Sequence, residues 1–212
     1  DFFDALVSLQ LLDRHDGKYA NAPDTDFFFD KNKPTYAAGF LEMANMRLYS
    51  FWGSLTEGLR TGQPQSELRG SDTTFFETVY KDPAGLRVFL QGMTGHSKGG
   101  IVQALVEKFP WQKYKTFVDV GTSEGGYPVE IARAHTHLTG AGFDLPPVQP
   151  VFEEYIRRFG LQDRLHFAGG DFFKDELPNA DVIIMAHILH DWNLEEKQLL
   201  LRKAYAALPT DG

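Results

Sequence analysis

Two histidines three positions apart follow an apolar run that is typical of a buried strand. Val182 to Ala186 are all apolar, and His187, His190 and Asp191 come directly after them. An imidazole at the end of a strand can act as a general base on a reacting hydroxyl, or it can be a hydrogen-bonded core histidine. A metal site is a third interpretation, but two imidazoles with no visible third ligand argue against zinc.

A glycine-containing loop follows an earlier strand-like segment. In DVGTSEGG, residues 119–126, Gly121 lets the backbone approach a ligand closely and Gly125 permits tight packing of a helix on a strand. Ser123 stands where a dinucleotide-binding fingerprint requires glycine. The loop therefore predicts a poor cradle for a pyrophosphate, and a purely structural turn is an equal alternative.

Two acids follow the next two strand-like segments. Asp144 lies 23 residues beyond Gly121, where an acid can accept hydrogen bonds from both ribose hydroxyls of an adenosine ligand or can cap the next helix. Asp171 can accept from an adenine amino group, with Phe172 or Phe173 packed on the ring or in the core. A glycine loop and two such acids without a diphosphate cradle indicate adenosine lacking phosphates, such as S-adenosylmethionine.

The elements that must position these residues alternate after residue 110. Apolar runs predict strands at 115–121, 138–145, 164–173 and 180–189. Helices are predicted at 126–135, 151–160 and 193–208. This order predicts an α/β fold, a doubly wound Rossmann-like parallel sheet with ligands at the carboxyl ends of its strands. The last helix is expected to begin at an Asn193 cap and to turn Leu201, Ala204, Tyr205 and Leu208 inward.

Residues 1–100 are predicted to form a mostly helical domain, and residues 101–212 the sheet domain. Asp16-Gly17 predicts a two-residue hairpin after the first helix, which is the outline of a winged helix. Such a module can serve dimerisation or DNA binding. Residues 1–60 contain nine acids and six Lys or Arg, the wrong sign for DNA. Both ends of the chain look cut, and the sheet domain looks incomplete at its C-terminal end.

The composition narrows the class of protein. The 212 residues have a net charge of −8, a mean hydropathy of −0.31 and no cysteine. Disulfides, thiolate metal sites and thiol nucleophiles are thereby excluded. The charge argues against nucleic-acid and membrane partners. These features predict a cytoplasmic protein with a small-molecule ligand.

Four motifs in this order resemble the plant-type small-molecule O-methyltransferases, a family that includes caffeate and acetylserotonin methyltransferases and many bacterial enzymes. The motifs are FVDVGTSEGG, GFDLPPV, AGGDFFKDELPNADV and HILHDWN. The N-terminal half resembles the winged dimerisation domain of the same family, including GMTGHS at 92–97. The resemblance implies methyl transfer from S-adenosylmethionine to a hydroxylated, aromatic acceptor, and a homodimer.

The resemblance also implies roles for individual residues. The family's general base is the histidine of HDW, which is His190 here. Cofactor contacts are implied at Ser97, Gly121, Asp144, Asp171, Phe172 and His187. Relatives often place a Lys or Arg against the adenosine just before the catalytic histidine, where this sequence has Ala186-His187. Three further positions match the acceptor pocket of relatives: Phe89, Met93 and His96.

The departures leave alternatives open. The family's GGGTG loop is GTSEG here, and the acid that orients the base in relatives lies beyond Gly212. Some relatives bind S-adenosylmethionine but perform hydroxylation or decarboxylation. A winged-helix regulator and a dimerisation protein with an inactive cofactor site are the non-enzymatic alternatives.

Overall fold

The computed structural model describes residues 1–33, 35–66, 75–97, 101–210 and 212. The helices within these ranges are α1 (Phe2–Ser8), α2 (Pro23–Phe28), α3 (Gly39–Met43), α4 (Tyr49–Trp52), α5 (Leu55–Thr61), α6 (Phe75–Val79), α7 (Pro83–Ser97), α8 (Ile101–Lys108), α9 (Gly126–Ala134), α10 (Gln149–Arg158) and α11 (Leu194–Ala207). The strands are β1 (Leu12–His15), β2 (Lys18–Asn21), β3 (Thr116–Val120), β4 (Thr139–Asp144), β5 (Leu165–Gly169) and β6 (Val182–Ile184). A π-helical turn, Ala44–Leu48, joins α3 to α4, and a 3-10 turn, Leu189–Asp191, precedes α11.

A parallel sheet of order β5-β4-β3-β6 forms the centre of the described chain. Phe117 of β3 pairs with Gly140 of β4 on one side and with Val182 of β6 on the other. The strand order reverses between β3 and β6, because the chain runs outward from β3 to β5 and then returns to the opposite side of β3. Ligands bind at such a reversal in open α/β sheets. The predicted α/β fold with a parallel sheet is confirmed.

Apolar side chains on both faces of the sheet explain why the strands read as continuous apolar runs. On one face Phe117 packs in a core with residues of α8, α9 and α10. On the other face Val118 and Val120 pack with Ala207 of α11. Successive residues of β3 therefore point to opposite cores, and the ends of the strands are held from both sides.

The last two strands are shorter than the predicted ranges 164–173 and 180–189. Strand β6 ends at Ile184, and three residues later His187 has a φ of +57°, in the left-handed region that is incompatible with a strand. The apolar run thus continues past the point where the backbone turns. Residues 185–193, which connect β6 to α11, are called the histidine loop below.

Helix α11 confirms its predicted cap but not all of its predicted inward face. The Asn193 side chain accepts a hydrogen bond from Glu196 N at 3.0 Å, and the Glu196 side chain accepts one from Asn193 N. Leu200 is fully buried, whereas Leu201 is 52% and Tyr205 83% exposed, so the prediction was wrong for these two residues. Three consecutive leucines at 199–201 make the apolar stripe ambiguous.

The N-terminal part contains the predicted hairpin. β1 and β2 are antiparallel, and Asp16 and Gly17 between them both have positive φ, as a type I′ turn requires. Further along, α3 packs closely on α7. A Cβ added to Gly39 would lie 2.6 Å from Gln91 O, and one added to Gly95 would lie 2.8 Å from Ala37 O. Small residues at this contact let the two backbones meet and fix the position of α7.

Along the described stretches, no helix is both long enough and apolar enough to cross a membrane.

Candidate active site

A cavity of about 570 Å³ lies at the carboxyl ends of the strands. Its sheet side contains the residues that follow β3, β4 and β5 together with the histidine loop, and α6 and α7 cover it from the other side. This volume lies within the range of small-molecule sites. The aromatic and sulfur-containing side chains of the wall are Phe76, Tyr80, Phe89, Met93, Tyr127, Phe172, Phe173 and Trp192.

Gly121 lies between the end of β4 and the histidine loop. Its N–H donates to Phe143 O at 2.8 Å, and its φ is +71°. A Cβ at this position would lie 2.2 Å from Ile188 Cδ1 in the histidine loop. Glycine is therefore required here both by the backbone conformation and by the close approach of Ile188.

Asp144 is the most firmly held polar group of the cavity. Its carboxylate accepts hydrogen bonds from Ser123 N at 2.9 Å, Leu145 N at 2.8 Å and the Tyr80 hydroxyl at 3.3 Å. Burial raises the pKa of Asp144 to about 6, while these hydrogen bonds act in the opposite direction. Asp144 does not cap α10, whose N-cap Val148 has no side-chain hydrogen bond. Ser123, with a φ of +58°, orients Asp144 through its backbone N–H.

Sequence reasoning missed Asp119 and Tyr80 as cavity residues. Asp119 is the penultimate residue of β3, is 2% exposed and faces the cavity. Burial raises the pKa of Asp119 to about 7, and the nearby negative charge of Asp144 adds to the effect. An acid inside the apolar segment TFVDV was the available signal. No local sequence signal identified Tyr80, because its hydrogen-bond partner Asp144 is 64 residues away.

Asp171 lies half-buried after β5. Its carboxylate accepts from Phe173 N at 2.9 Å and pairs with Lys174 Nζ at 2.9 Å. Burial raises the pKa of Asp171, but Lys174 and the Phe173 N–H outweigh it and hold the pKa below its usual value. The acid is therefore ionised at neutral pH and oriented along its loop.

An aromatic group surrounds Trp192. Phe173 and Phe172 meet the Trp192 ring edge-on, with centroid distances of 4.6 Å and 5.8 Å. The ring centroid of Phe76 in α6 lies 5.9 Å from that of Trp192. Trp192 Nε1 is buried and finds no hydrogen-bond partner in the described part of the chain. Trp192, in the histidine loop, forms part of the cavity wall.

Three imidazoles meet at the other end of the cavity. The ring centroid of His187 lies 5.1 Å from that of His96 and 5.7 Å from that of His190. His187 is half-buried and faces the cavity, and burial together with the two neighbouring imidazoles lowers its pKa. His190 is 63% exposed, its Nε2 lies 3.2 Å from Asp191 Oδ1, and it is outside the cavity wall.

Of the remaining predicted residues, some line the cavity and one lies outside its wall. Phe89 and Met93 line the cavity, as does Ser97, whose buried hydroxyl donates to Met93 O at 3.0 Å. His96 is exposed and lies outside the wall, with its ring 5.4 Å from that of Phe40. Within the described ranges, no three His, Asp or Glu side chains converge as metal ligands would.

The chain matches known methyltransferases over most of its length. Residues 52–212 match the O-methyltransferase domain model. The chain belongs to this family. The resemblance drawn from the four motifs is thereby confirmed, including the bacterial character of its relatives.

Two curated relatives are similar over the whole chain. The tetracenomycin polyketide synthesis 8-O-methyl transferase TcmO of Streptomyces glaucescens is 40% identical over 100% of this chain and 61% of its own length. The N,N-dimethyltransferase OxyT of Streptomyces rimosus is 34% identical, with the same shares covered. Human N-acetylserotonin methyltransferase, solved in complex with S-adenosylmethionine, superposes with a TM-score of 0.81 at 26% identity, over 99% of this chain and 61% of that one. The chain thus spans about three-fifths of the length of these relatives.

Proposed function

We propose that the complete protein transfers a methyl group from S-adenosylmethionine to a hydroxyl of a small aromatic acceptor. The observation that carries the proposal is the buried Asp144 carboxylate, held by two backbone N–H groups at the end of β4. An acid fixed in this way beside the reversal of strand order is suited to the two ribose hydroxyls of an adenosine ligand.

The cavity fits the rest of such a cofactor. Asp171 is available to an adenine amino group, with Phe172 and Trp192 beside the ring. Gly121 lines the cavity and has no side chain to keep a ligand from its backbone. Ser97 is a further cofactor contact in this proposal. S-adenosylmethionine would supply an electrophilic methyl group when bound, and Asp144 and Asp171 would hold its adenosine.

His190 is proposed as the general base. A phenol has a pKa of about 10 and imidazole one of about 6.5, so complete prior deprotonation costs roughly 5 kcal/mol. A base that takes the proton while the new bond forms avoids much of this cost. Asp191, at 3.2 Å from His190 Nε2, can hold the ring and stabilise its protonated form. The ring must turn toward the cavity to meet the acceptor, a rearrangement that catalytic groups of unliganded sites often undergo.

The acceptor is proposed to be aromatic and polyketide-like. Phe89 and Met93 of α7 form an apolar wall, and His96 lies one helical turn beyond Met93 on the same helix. The name of TcmO, an 8-O-methyl transferase of polyketide synthesis, supports this class. The name of OxyT supports a second candidate, transfer to an amine nitrogen, for which a base is less important.

A homodimer through residues 1–100 is proposed as the assembly, with the hairpin and flanking helices as a winged-helix-like dimerisation domain. The N-terminal helices expose many large apolar side chains, including Phe2, Phe3, Phe27, Met46, Tyr49, Trp52 and Leu59. A monomeric protein rarely exposes so many in one region. A single monomer mass for the complete protein in light scattering at micromolar concentration would contradict the dimer.

Calorimetry and a transfer assay test the proposed function together. The complete protein is titrated with S-adenosylmethionine, S-adenosylhomocysteine, NAD and duplex DNA. We expect binding of the first two and none of the others, because Ser123 replaces the glycine of a pyrophosphate loop and the N-terminal region is acidic. Methyl transfer is then measured on matched aromatic alcohols and amines. Tight NAD binding, or transfer to the amines alone, would overturn the proposal.

A further inference from the structure

The backbone of His187 has a positive φ. Its φ of +57° lies in the left-handed region, which only a few per cent of residues other than glycine adopt, with asparagine, aspartate and histidine the most frequent. This conformation turns the side chain from the end of β6 into the cavity wall. Strained backbone of this kind concentrates at ligand sites.

The contacts of His187 do not satisfy its ring nitrogens. Within the described chain its ring meets two other imidazoles, His96 at 5.1 Å and His190 at 5.7 Å, and makes no hydrogen bond. Because the half-buried ring faces the cavity, its nitrogens are available to a ligand there. A ligand that fills the cavity would bury the ring further and would leave a donor and an acceptor to be paired.

The surroundings of His187 favour its neutral form. Half-burial opposes a charge, and two further imidazoles lie on either side of it. Asp191 acts in the opposite direction but is paired with His190 at 3.2 Å. A neutral imidazole donates one hydrogen bond and accepts another, which suits a hydroxyl or carbonyl oxygen. A carboxylate would instead be matched by arginine or lysine.

We propose that His187 is a specificity-determining residue that hydrogen-bonds a second, uncharged oxygen of the acceptor, next to the hydroxyl that is methylated. The proposal rests on the proposed function and names the acceptor class: an aromatic ring with a hydroxyl and a neighbouring carbonyl or hydroxyl. Hydrogen bonds of roughly 2.8 Å to oxygens on neighbouring ring positions are compatible with imidazoles whose centres lie 5.7 Å apart.

This assignment differs from a contact with the adenosine, which the position of His187 in the motif suggests. The ring contacts of His187 are with His96 and with His190, the proposed base that the reacting hydroxyl of the acceptor has to meet. The aromatic group around Asp171, by contrast, consists of Phe172, Phe173 and Trp192. His187 therefore belongs to the end of the cavity that is proposed for the acceptor.

Equilibrium binding to the complete protein, saturated with S-adenosylhomocysteine, tests the proposal without any turnover. The probes are 1-naphthol, 1-hydroxy-2-acetylnaphthalene and 1-hydroxy-2-naphthoate. We expect the wild type to bind the acetyl compound at least about tenfold more tightly than 1-naphthol, the usual effect of pairing a polar group that is otherwise left buried. His187→Gly should abolish this preference, and His187→Asn should retain part of it, since both residues adopt a positive φ without strain.

His187→Arg should move the preference toward the naphthoate, because the guanidinium supplies the charge that a carboxylate requires. His166→Gln, at an exposed histidine outside the cavity wall, is the matched control and should leave the ratio of the first two probes within about twofold. The same ratio in His187→Gly as in the wild type, or no preference in the wild type, would overturn the proposal. If the protein prefers the acetyl compound over 1-naphthol but shows no methyl transfer, the result supports the role of His187 and counts against the proposed function.

Discussion

At one end of the cavity the Asp144 carboxylate is 7% exposed and accepts three hydrogen bonds, two of them from backbone N–H groups. At the other end the His190 side chain is 63% exposed, and its polar contact in the described chain is with the adjacent Asp191. The acids are positioned by strands packed on both faces, the histidines by a loop that begins after a three-residue strand. The fold thus prepares the proposed cofactor half in advance and leaves the proposed catalytic half to be completed when an acceptor binds.

The largest effect is expected at the histidine end. His190→Gln should lower methyl transfer about 10²–10⁴-fold, the usual share of general acid–base catalysis. Cofactor affinity and melting temperature should stay close to those of the wild type, because the ring is mostly exposed. Single-turnover transfer, calorimetry and thermal melting measure the three quantities.

His187→Gln serves as the comparison for that variant and should reduce the transfer rate much less. A rate near that of the wild type for His190→Gln would end the assignment of His190 as base. Equal and complete loss in both variants, reproduced by a chelator, would indicate a metal instead.

At the acid end, Asp144→Ala should weaken S-adenosylmethionine binding by about 1–3 kcal/mol, since two ribose hydroxyls and the Ser123 N–H lose their acceptor. Affinity in the wild type should also fall as the pH drops through about 6, where the carboxylate gains a proton and can no longer accept from both hydroxyls. Calorimetry at pH 5.0 and 7.5 checks both statements. The exposed Asp163 provides a control substitution to alanine, and equal affinity in Asp144→Ala and wild type would contradict the ribose contact.

The buried Asp119 is expected to lower the free energy of unfolding at neutral pH. The pKa of Asp119 rises from 3.8 to about 7 on folding, so between these values the native state holds a proton that the unfolded state releases. The contribution of Asp119 to stability must therefore fall as the pH rises from about 4 to 7. Asp119→Asn should flatten this dependence and raise stability at pH 7.5 by about 1–2 kcal/mol, as it removes a buried charge.

Denaturant unfolding of the cofactor-free protein at several pH values measures this effect. Asp163→Asn, at an exposed position, is the matched control and should leave the pH dependence unchanged. A pH dependence in Asp119→Asn identical to that of the wild type would show that Asp119 is not the group responsible.

The smallest effect is expected where the histidine loop enters α11. Asn193→Ala removes the side-chain acceptor of the Glu196 N–H and should cost about 1 kcal/mol of stability. Cofactor affinity should not change, because the acids lie on other elements. Thermal melting beside Gln198→Ala, an exposed substitution on the same helix, provides the measurement, and a loss of affinity in Asn193→Ala would mean that the two ends of the cavity are not independent.

The sequence predicted most of the acid end because its signals are local. Apolar runs placed β3 and β4, and Asp144 and Asp171 follow strands at positions that the sheet brings together. Ser123 was identified correctly as a departure from the dinucleotide loop, but its hydrogen bond to Asp144 depends on a φ of +58° that spacing alone does not reveal.

The histidine end was predicted less completely because its geometry is not local. The apolar run through Ala186 hid the end of β6, and the positive φ of His187 decides which imidazole faces the cavity. Tyr80 and Phe76 reach the cavity from α6 and the residue after it, through contacts that no periodicity encodes. The inward face of α11 was misjudged at Leu201 and Tyr205 for a simpler reason, since leucines occupy several faces of that helix.

The close packing of α3 on α7 restricts how this enzyme family member can evolve. Gly39 lies directly against Gln91 O, and a Cβ added to Gly92 would lie only 2.7 Å from Met43 Sδ. Helix α7 therefore has no room to slide or tilt. On this fixed backbone, a new preference at the proposed acceptor site has to come from exchanging side chains, such as Phe89 and Met93 of α7 or His187 of the histidine loop. A mutant library confined to Phe89 and Met93 should yield altered acceptor profiles. Libraries at Gly39, Gly92 and Gly95 should yield mainly unfolded protein.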